Sequence, residues 1–197
     1  MKITFLIVGL LLAGQCTYAA NYSFTYNGRK YEIVKEKKTW ADAAMYAYRK
    51  NGHLVEINDQ GEQLAVYDAI KKSGISTTYT EARDGGDVAY IWIGATDKNH
   101  EGQWVWDGAN TGHGQNFWNG EGMHGKRNGI AVNNAYENWG GTSAGKPNEP
   151  DNSQGKQNAA AIGLAPWPKN SGSLGQAGEW NDINEYNQLY FIIEFDK

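Results

Sequence analysis

Short apolar runs alternate along the chain with polar stretches rich in glycine and asparagine, and the periods of those runs mark out its elements. Tyr22 to Tyr26 and Arg29 to Val34 read as two strands around Asn27-Gly28, a dipeptide suited to the left-handed turn of a tight hairpin. Trp40, Ala43, Ala44 and Ala47 then recur at helical spacing and give one small apolar face. They predict a helix from Trp40 to about Lys50, with Thr39 as N-cap and Asn51-Gly52 as its stop. His53 to Ile57 reads as a strand. A second helix, capped by Asn58 or Asp59, is predicted through Glu62 to Lys72, with Leu64, Ala65, Val66 and Ile70 as its apolar positions.

Residues 73–87 read as a loop. Ala89 to Ala95 is a continuous apolar run, as a strand buried on both faces requires, and Trp104 to Trp106 is a further strand turned by Asp107-Gly108. From Ala109 to Gly129 the chain is rich in Gly, Asn and His and has no period. Asn158 to Ile162, Trp180 to Asp182 and Leu189 to Phe195 read as the last strands, with residues 166–178 as a loop between them. Strands and helices are mixed, without an internal repeat.

The first twenty residues change the picture of where this domain works. Lys2 precedes an apolar run from Ile3 to Ala13 broken only by Thr4, and small residues follow at Thr17 to Ala20, the pattern of a signal peptide. The run is too short for a comfortable membrane span. The expected organisation is a leader at 1–20 and one exported domain at 21–197, secreted, periplasmic or held at the cell surface. Cys16 is the only cysteine. Gln15 before it is a poor neighbour for lipidation, so an anchor there is not expected. Without Cys16 the exported domain has no disulfide and depends on its core and on any metal it holds. The chain carries 18 Lys and Arg against 22 Asp and Glu, a net charge of −4, with no basic stripe, which argues against nucleic acid as a partner.

Candidate chemistry gathers in Pro147-Asn148-Glu149-Pro150-Asp151-Asn152 and in Trp180-Asn181-Asp182. Glu149, Asp151, Asn181 and Asp182 are hard oxygen donors, the ligands calcium takes. Alone, the hexapeptide reads as a polar turn rather than a site. His53, His100, His113 and His124 show no familiar zinc-ligand spacing. With no Gly-x-Ser-x-Gly elbow and no cysteine nucleophile outside the leader, catalysis is not expected.

The order of these pieces resembles the C-type lectin-like domain family over nearly all of residues 22–196. The matching residues are Thr39-Trp40 with Ala43, then Gly52, Leu54, Val55, Ile57 and Glu62. Trp92-Ile93-Gly94-Ala95, Glu101 to Gly108, Tyr136 and Asn138-Trp139 follow, and after them Glu149-Pro150-Asp151, Trp180-Asn181-Asp182 and Tyr190 to Phe195. The ordered set, above all the Trp-Ile-Gly segment followed by Trp-Asn-Asp, carries the resemblance. It implies a double-loop α+β fold, two helices flanking a small antiparallel sheet, with a long loop region bearing the site. It also implies a Ca²⁺ site made by Glu149, Asp151, Gln157, Asn181 and Asp182, with Pro150 in the cis form.

Two positions depart from the family's pattern: the triplet ends in Asp151 rather than Asn, and Gln157 stands where the family has Glu. The carboxylate count is unchanged, and the hybrid triplet leaves the sugar class open. The family's disulfides would fall at Ala47 with Ile193 and at Ala159 with Glu185. By the resemblance the function is calcium-dependent carbohydrate binding, with sugar hydroxyls coordinated to calcium and Trp167 and Trp118 as candidate stacking platforms. The alternative is a calcium-stabilised scaffold whose loop insertions, about 109–132 and 163–178, bind a protein partner. The cysteine-free body suggests a bacterial source.

Overall fold

Asn27 and Gly28 both take positive φ, 46° and 76°, and this turn sets the first hairpin. It joins β1 (Tyr22–Tyr26) to β2 (Arg29–Lys38) in the register Tyr22 opposite Ile33. The structure is a computed structural model and describes residues 20–122, 128–145 and 147–196. Residues 1–19 of the expected leader, Cys16 among them, and His124 lie outside the described residues.

Helix α1 (Trp40–Arg49) starts where the Thr39 hydroxyl accepts from the Asp42 N–H at 3.2 Å. Its buried face is Trp40, Ala43, Ala44 and Ala47, as its spacing predicts. Three alanines let the helix lie close to the sheet, and the Trp40 indole donates to the Ile93 carbonyl at 2.8 Å. Strand β3 (Gly52–Leu54) is shorter than predicted. Helix α2 (Gln60–Lys72) is capped by Asp59, which accepts from the Glu62 N–H at 2.8 Å, while Glu62 accepts from the Asn58 N–H at 2.9 Å. These reciprocal bonds satisfy two donors at the helix start.

Val66 and Ile70 of α2 are buried as its apolar pattern predicts, but the face differs at two neighbouring positions. Leu64 is 61% exposed, whereas Gln63 is buried. The reason is a pair of bonds that turns Gln63 inward. Its amide donates to the Gly178 carbonyl and accepts from the Trp180 indole, each at 2.8 Å.

The sheet is larger than the expected small one, with 11 strands. Strand β4 (Glu81–Ala82) lies in the stretch that reads as a loop, and it pairs with the fully buried β5 (Val88–Thr96). Strand β6 (Gln103–Trp106) pairs with β7 (Gln115–Asn119), and β7 pairs with β8 (Ile130–Ala131). Both β7 and β8 fall within the expected insertion at 109–132. Phe117 and Trp118 draw that aperiodic stretch onto the core, with Trp118 opposite Trp104 in the ladder. The remaining strands are β9 (Ala159–Gly163), β10 (Trp180–Ile183) and β11 (Leu189–Phe195).

The main path runs β1-β2-β11-β5-β6-β7-β8, with β9 bridging β5 and β10. Pairing is antiparallel except between β11 and β5. Where the family's first disulfide would fall, Ala47 and Ile193 are both fully buried in one apolar cluster. At the second position, the Asn158 amide donates to the Glu185 carboxylate at 3.4 Å beside Ala159. Among the described residues no helix is long and apolar enough to cross a membrane.

Candidate metal centre

Strand β10 carries Asn181 and Asp182 into the sheet, opposite Ala161 and Ala160 of β9. Segment 147–152 folds back onto this strand. That segment is fixed by its own backbone: the Gly140 carbonyl accepts from the N–H groups of Asn148 and Glu149, at 2.5 and 3.1 Å. The Glu149–Pro150 peptide is cis, as the resemblance implies, and Trp167–Pro168 is cis as well. Asp182 then clamps the turn. Its two carboxylate oxygens accept from the N–H groups of Asp151 at 3.0 Å and Asn152 at 2.7 Å.

One carboxylate oxygen each from Glu149, Asp151 and Asp182 comes within 4.8 Å of the others. Among the described residues this is the one group of three or more His, Cys, Asp or Glu side chains gathered in this way. The three come from two segments 31 residues apart, brought together by the β9–β10 pair. Asn181 and Gln157 line the same pocket of about 230 Å³ as Glu149 and Asp151. Asn181 donates its amide to the Tyr90 hydroxyl at 2.9 Å. Gln157 donates to the Asp84 carbonyl at 3.0 Å and accepts from the Ser153 N–H at 2.6 Å. A larger depression, about 310 Å³ beside Tyr48, His53 and Trp106, contains none of these five donors.

The electrostatics of the cluster favour a cation. Burial, then the nearby Asp182 and Asp151 carboxylates, hold the Glu149 carboxyl well above the usual range. Burial, then the Asp151 charge, push Asp182 up to about 8. Glu149 Oε1 accepts from the Trp167 indole at 3.0 Å, but Oε2 is buried with no hydrogen-bond partner. An unpaired buried acceptor costs about 1–3 kcal/mol, and a divalent ion beside it removes that cost. Three carboxylates and two side-chain amides are the hard oxygen donors that calcium takes, so the residues present fit it.

The two tryptophans are placed differently from expectation. Trp167 is 1% exposed, and although it borders the pocket, its ring is packed and its indole N–H is committed to Glu149. Trp118 is 3% exposed, and its indole donates to the Gly120 carbonyl at 3.1 Å. Neither offers an open ring face for a sugar. Both lie in stretches without period, where an exposed and a packed tryptophan look alike in sequence. Sequence reasoning also missed Arg83, Asp84 and Tyr90 as neighbours of the site. Only the turn-forming Asp84-Gly85-Gly86 could have singled out that stretch.

The profile of the Lectin C-type domain family matches residues 36–195. Salivary C-type lectin 2 of Aedes albopictus is 24% identical over 168 residues, covering 85% of this chain and 84% of that protein. Asialoglycoprotein receptor 2 of Rattus norvegicus is 28% identical over 157 residues, covering 80% of this chain but 35% of the receptor. Among solved structures, the mouse scavenger receptor C-type lectin carbohydrate-recognition domain superposes with a TM-score of 0.55 at 23% identity, covering 89% of this chain and 94% of that one. Human lithostathine gives a TM-score of 0.55 at 20% identity, covering 89% and 97%. These two likenesses show the fold. The two sequence relatives are animal proteins, which gives the expected bacterial source no support.

Proposed function

We propose, from the premise that the chain belongs to the C-type lectin domain family, that it is an exported protein that binds carbohydrate in a calcium-dependent way. One observation carries this reading: three carboxylates converge within 4.8 Å, and one of their buried oxygens lacks a partner. Glu149, Asp151, Gln157, Asn181 and Asp182 would hold the ion. Bound calcium supplies open coordination positions for two vicinal sugar hydroxyls. The protein's own groups do the rest. The carboxylates accept hydrogen bonds from the hydroxyls, the Asn181 and Gln157 amides orient the donor set, and the Asp182 clamp keeps the turn rigid.

Export through a leader at residues 1–20 belongs to the same reading, and the mosquito relative is described as salivary. The test is calorimetric titration of residues 21–197 with calcium, beside Asp182→Ala and the shape-conserving Asp182→Asn. Saturable binding in the wild type, lost in the alanine variant and weakened at least about tenfold in the asparagine variant, is the expected result. No binding at millimolar calcium would sink the reading. Calcium binding with no displacement of glycan by free monosaccharide would instead make the domain a calcium-stabilised scaffold for a protein partner.

A further inference from the structure

One wall of the pocket beside the acidic triad is built by residues 83–86, and it is tied to the proposed ligands themselves. Gln157 donates to the Asp84 carbonyl at 3.0 Å. Asn181 donates to the Tyr90 hydroxyl, which in turn donates to the Gly85 carbonyl at 2.5 Å. The Lys169 N–H donates to the Gly86 carbonyl at 2.8 Å. Gly86 takes φ 81°, and a Cβ there would meet the Pro168 Cα at 2.8 Å, so the wall has no slack against the 167–168 corner. Its position relative to the oxygen donors is therefore fixed.

The charges around this pocket are unequally satisfied. Asp84 accepts from the Asn184 N–H and the Asn187 amide, one on each oxygen and each at 2.7 Å. Both oxygens of Asp182 are held by backbone N–H groups. Asp151 accepts from the Ser153 N–H at 2.9 Å. Glu149 accepts from Trp167, and its second oxygen is accounted for by the proposed ion. Arg83 is exposed, is the one cationic side chain among the described residues lining the pocket, and makes no ion pair with another described residue. Arg83 is therefore the charged side chain at this pocket that has no partner among the described residues, and it lies on the wall that the ligands hold in place.

We propose that the saccharide taken by this site carries an acidic group, a carboxylate or a sulfate, and that Arg83 selects for it. The proposal rests on the calcium-lectin reading above. A guanidinium presents its N–H donors in a planar fork that fits the paired oxygens of a carboxylate, or two of a sulfate's, and it stays charged at any working pH. A sugar whose hydroxyls sit at the triad can place such a group against the 83–86 wall. A neutral sugar can take only ordinary hydrogen bonds from Arg83, without the charge-assisted pair.

The experiment uses residues 21–197 at saturating calcium, after a calcium titration has shown binding. Matched pairs are titrated: methyl glucuronide against methyl glucoside, methyl galacturonide against methyl galactoside, and galactose 6-sulfate against galactose. In the wild type the acidic member of at least one pair binds about tenfold tighter, the scale of one charge-assisted contact. The carboxylate and sulfate arms show which group is read. Arg83→Gln brings the ratio to about one, and Arg83→Lys, which keeps the charge without the fork, gives an intermediate value. Equal affinities within every pair, or a preference that survives Arg83→Gln, overturn the proposal and leave the calcium reading intact. Failure of the wild type to bind calcium removes both.

Discussion

Trp167 shows how much a single residue's neighbours decide. In sequence it stands between Pro166 and Pro168 in a loop, open to any reading. In the fold it is a buried prop for Glu149, donating the only hydrogen bond that carboxylate accepts from another side chain among the described residues. Replacing it with phenylalanine keeps most of the packing and removes the donor. Trp167→Phe should cost about 1–3 kcal/mol of metal-free stability, read from urea unfolding in chelator, because the acceptor is left unpaired. An unchanged midpoint would mean the indole serves packing alone. That Glu149, Asp151 and Asp182 gather was legible because carboxylates in two short polar segments stand out by type, whereas Gln157 enters only through the resemblance. The fate of Trp167 and Trp118 was not legible, because burial depends on which neighbours fold over them, and those neighbours lie far away in the chain.

At the level of elements, local chemistry predicted the first hairpin, both helices and the long buried strand. The Asn27-Gly28 turn, the Thr39 and Asp59 caps and the four-residue face of α1 are all set within a few residues. The misses share a cause. Strands β4, β7 and β8 are two to five residues long and lack alternation, and they exist because a neighbouring strand offers them hydrogen bonds. On α2 the predicted Val66 and Ile70 are buried, but Leu64 is left outside while Gln63 is held inward by Trp180. Two glycines deserve weight for the opposite reason. Gly94 and Gly108 both face the Leu54 backbone, and a Cβ on Gly94 would meet the Leu54 carbonyl oxygen at 2.6 Å and the Gly108 Cα at 3.0 Å. Backbone cannot swing aside as a side chain can. Gly108→Ala should therefore destabilise the fold by about 1–3 kcal/mol, the usual cost of overpacking, measured by thermal or urea melts. Stability within a few tenths of the wild type would show that β3 can move.

For the molecule as a whole, the acidic triad couples metal, proton and fold. The folded, metal-free state holds Glu149 and Asp182 above their ordinary values of about 4, with Asp182 at about 8. Groups raised in this way contribute stability that is fully present below the unfolded value and is lost as pH rises through the folded one. In chelator the melting temperature should therefore fall between pH 5 and pH 8 on account of these two groups. Calcium binds the deprotonated carboxylates, so its stabilising effect should grow over the same interval. At calcium a hundredfold above its dissociation constant the gain is about 2.7 kcal/mol, or roughly 5–10 °C for a domain of this size. Differential melts at pH 5, 6.5 and 8 with calcium or chelator check this, and a calcium shift that ignores pH would contradict it. The order of the strands has a consequence of another kind. Strand β11, at residues 189–195, lies between β2 at 29–38 and β5 at 88–96, parallel to the second. During synthesis the earlier strands leave the ribosome with their central seat empty and wait for a segment about 150 residues downstream of β2. Contacts this distant along the chain are slow to form, because the intervening loop must close first. Until β11 arrives, two edges that are internal in the finished sheet stand open to pairing with other chains.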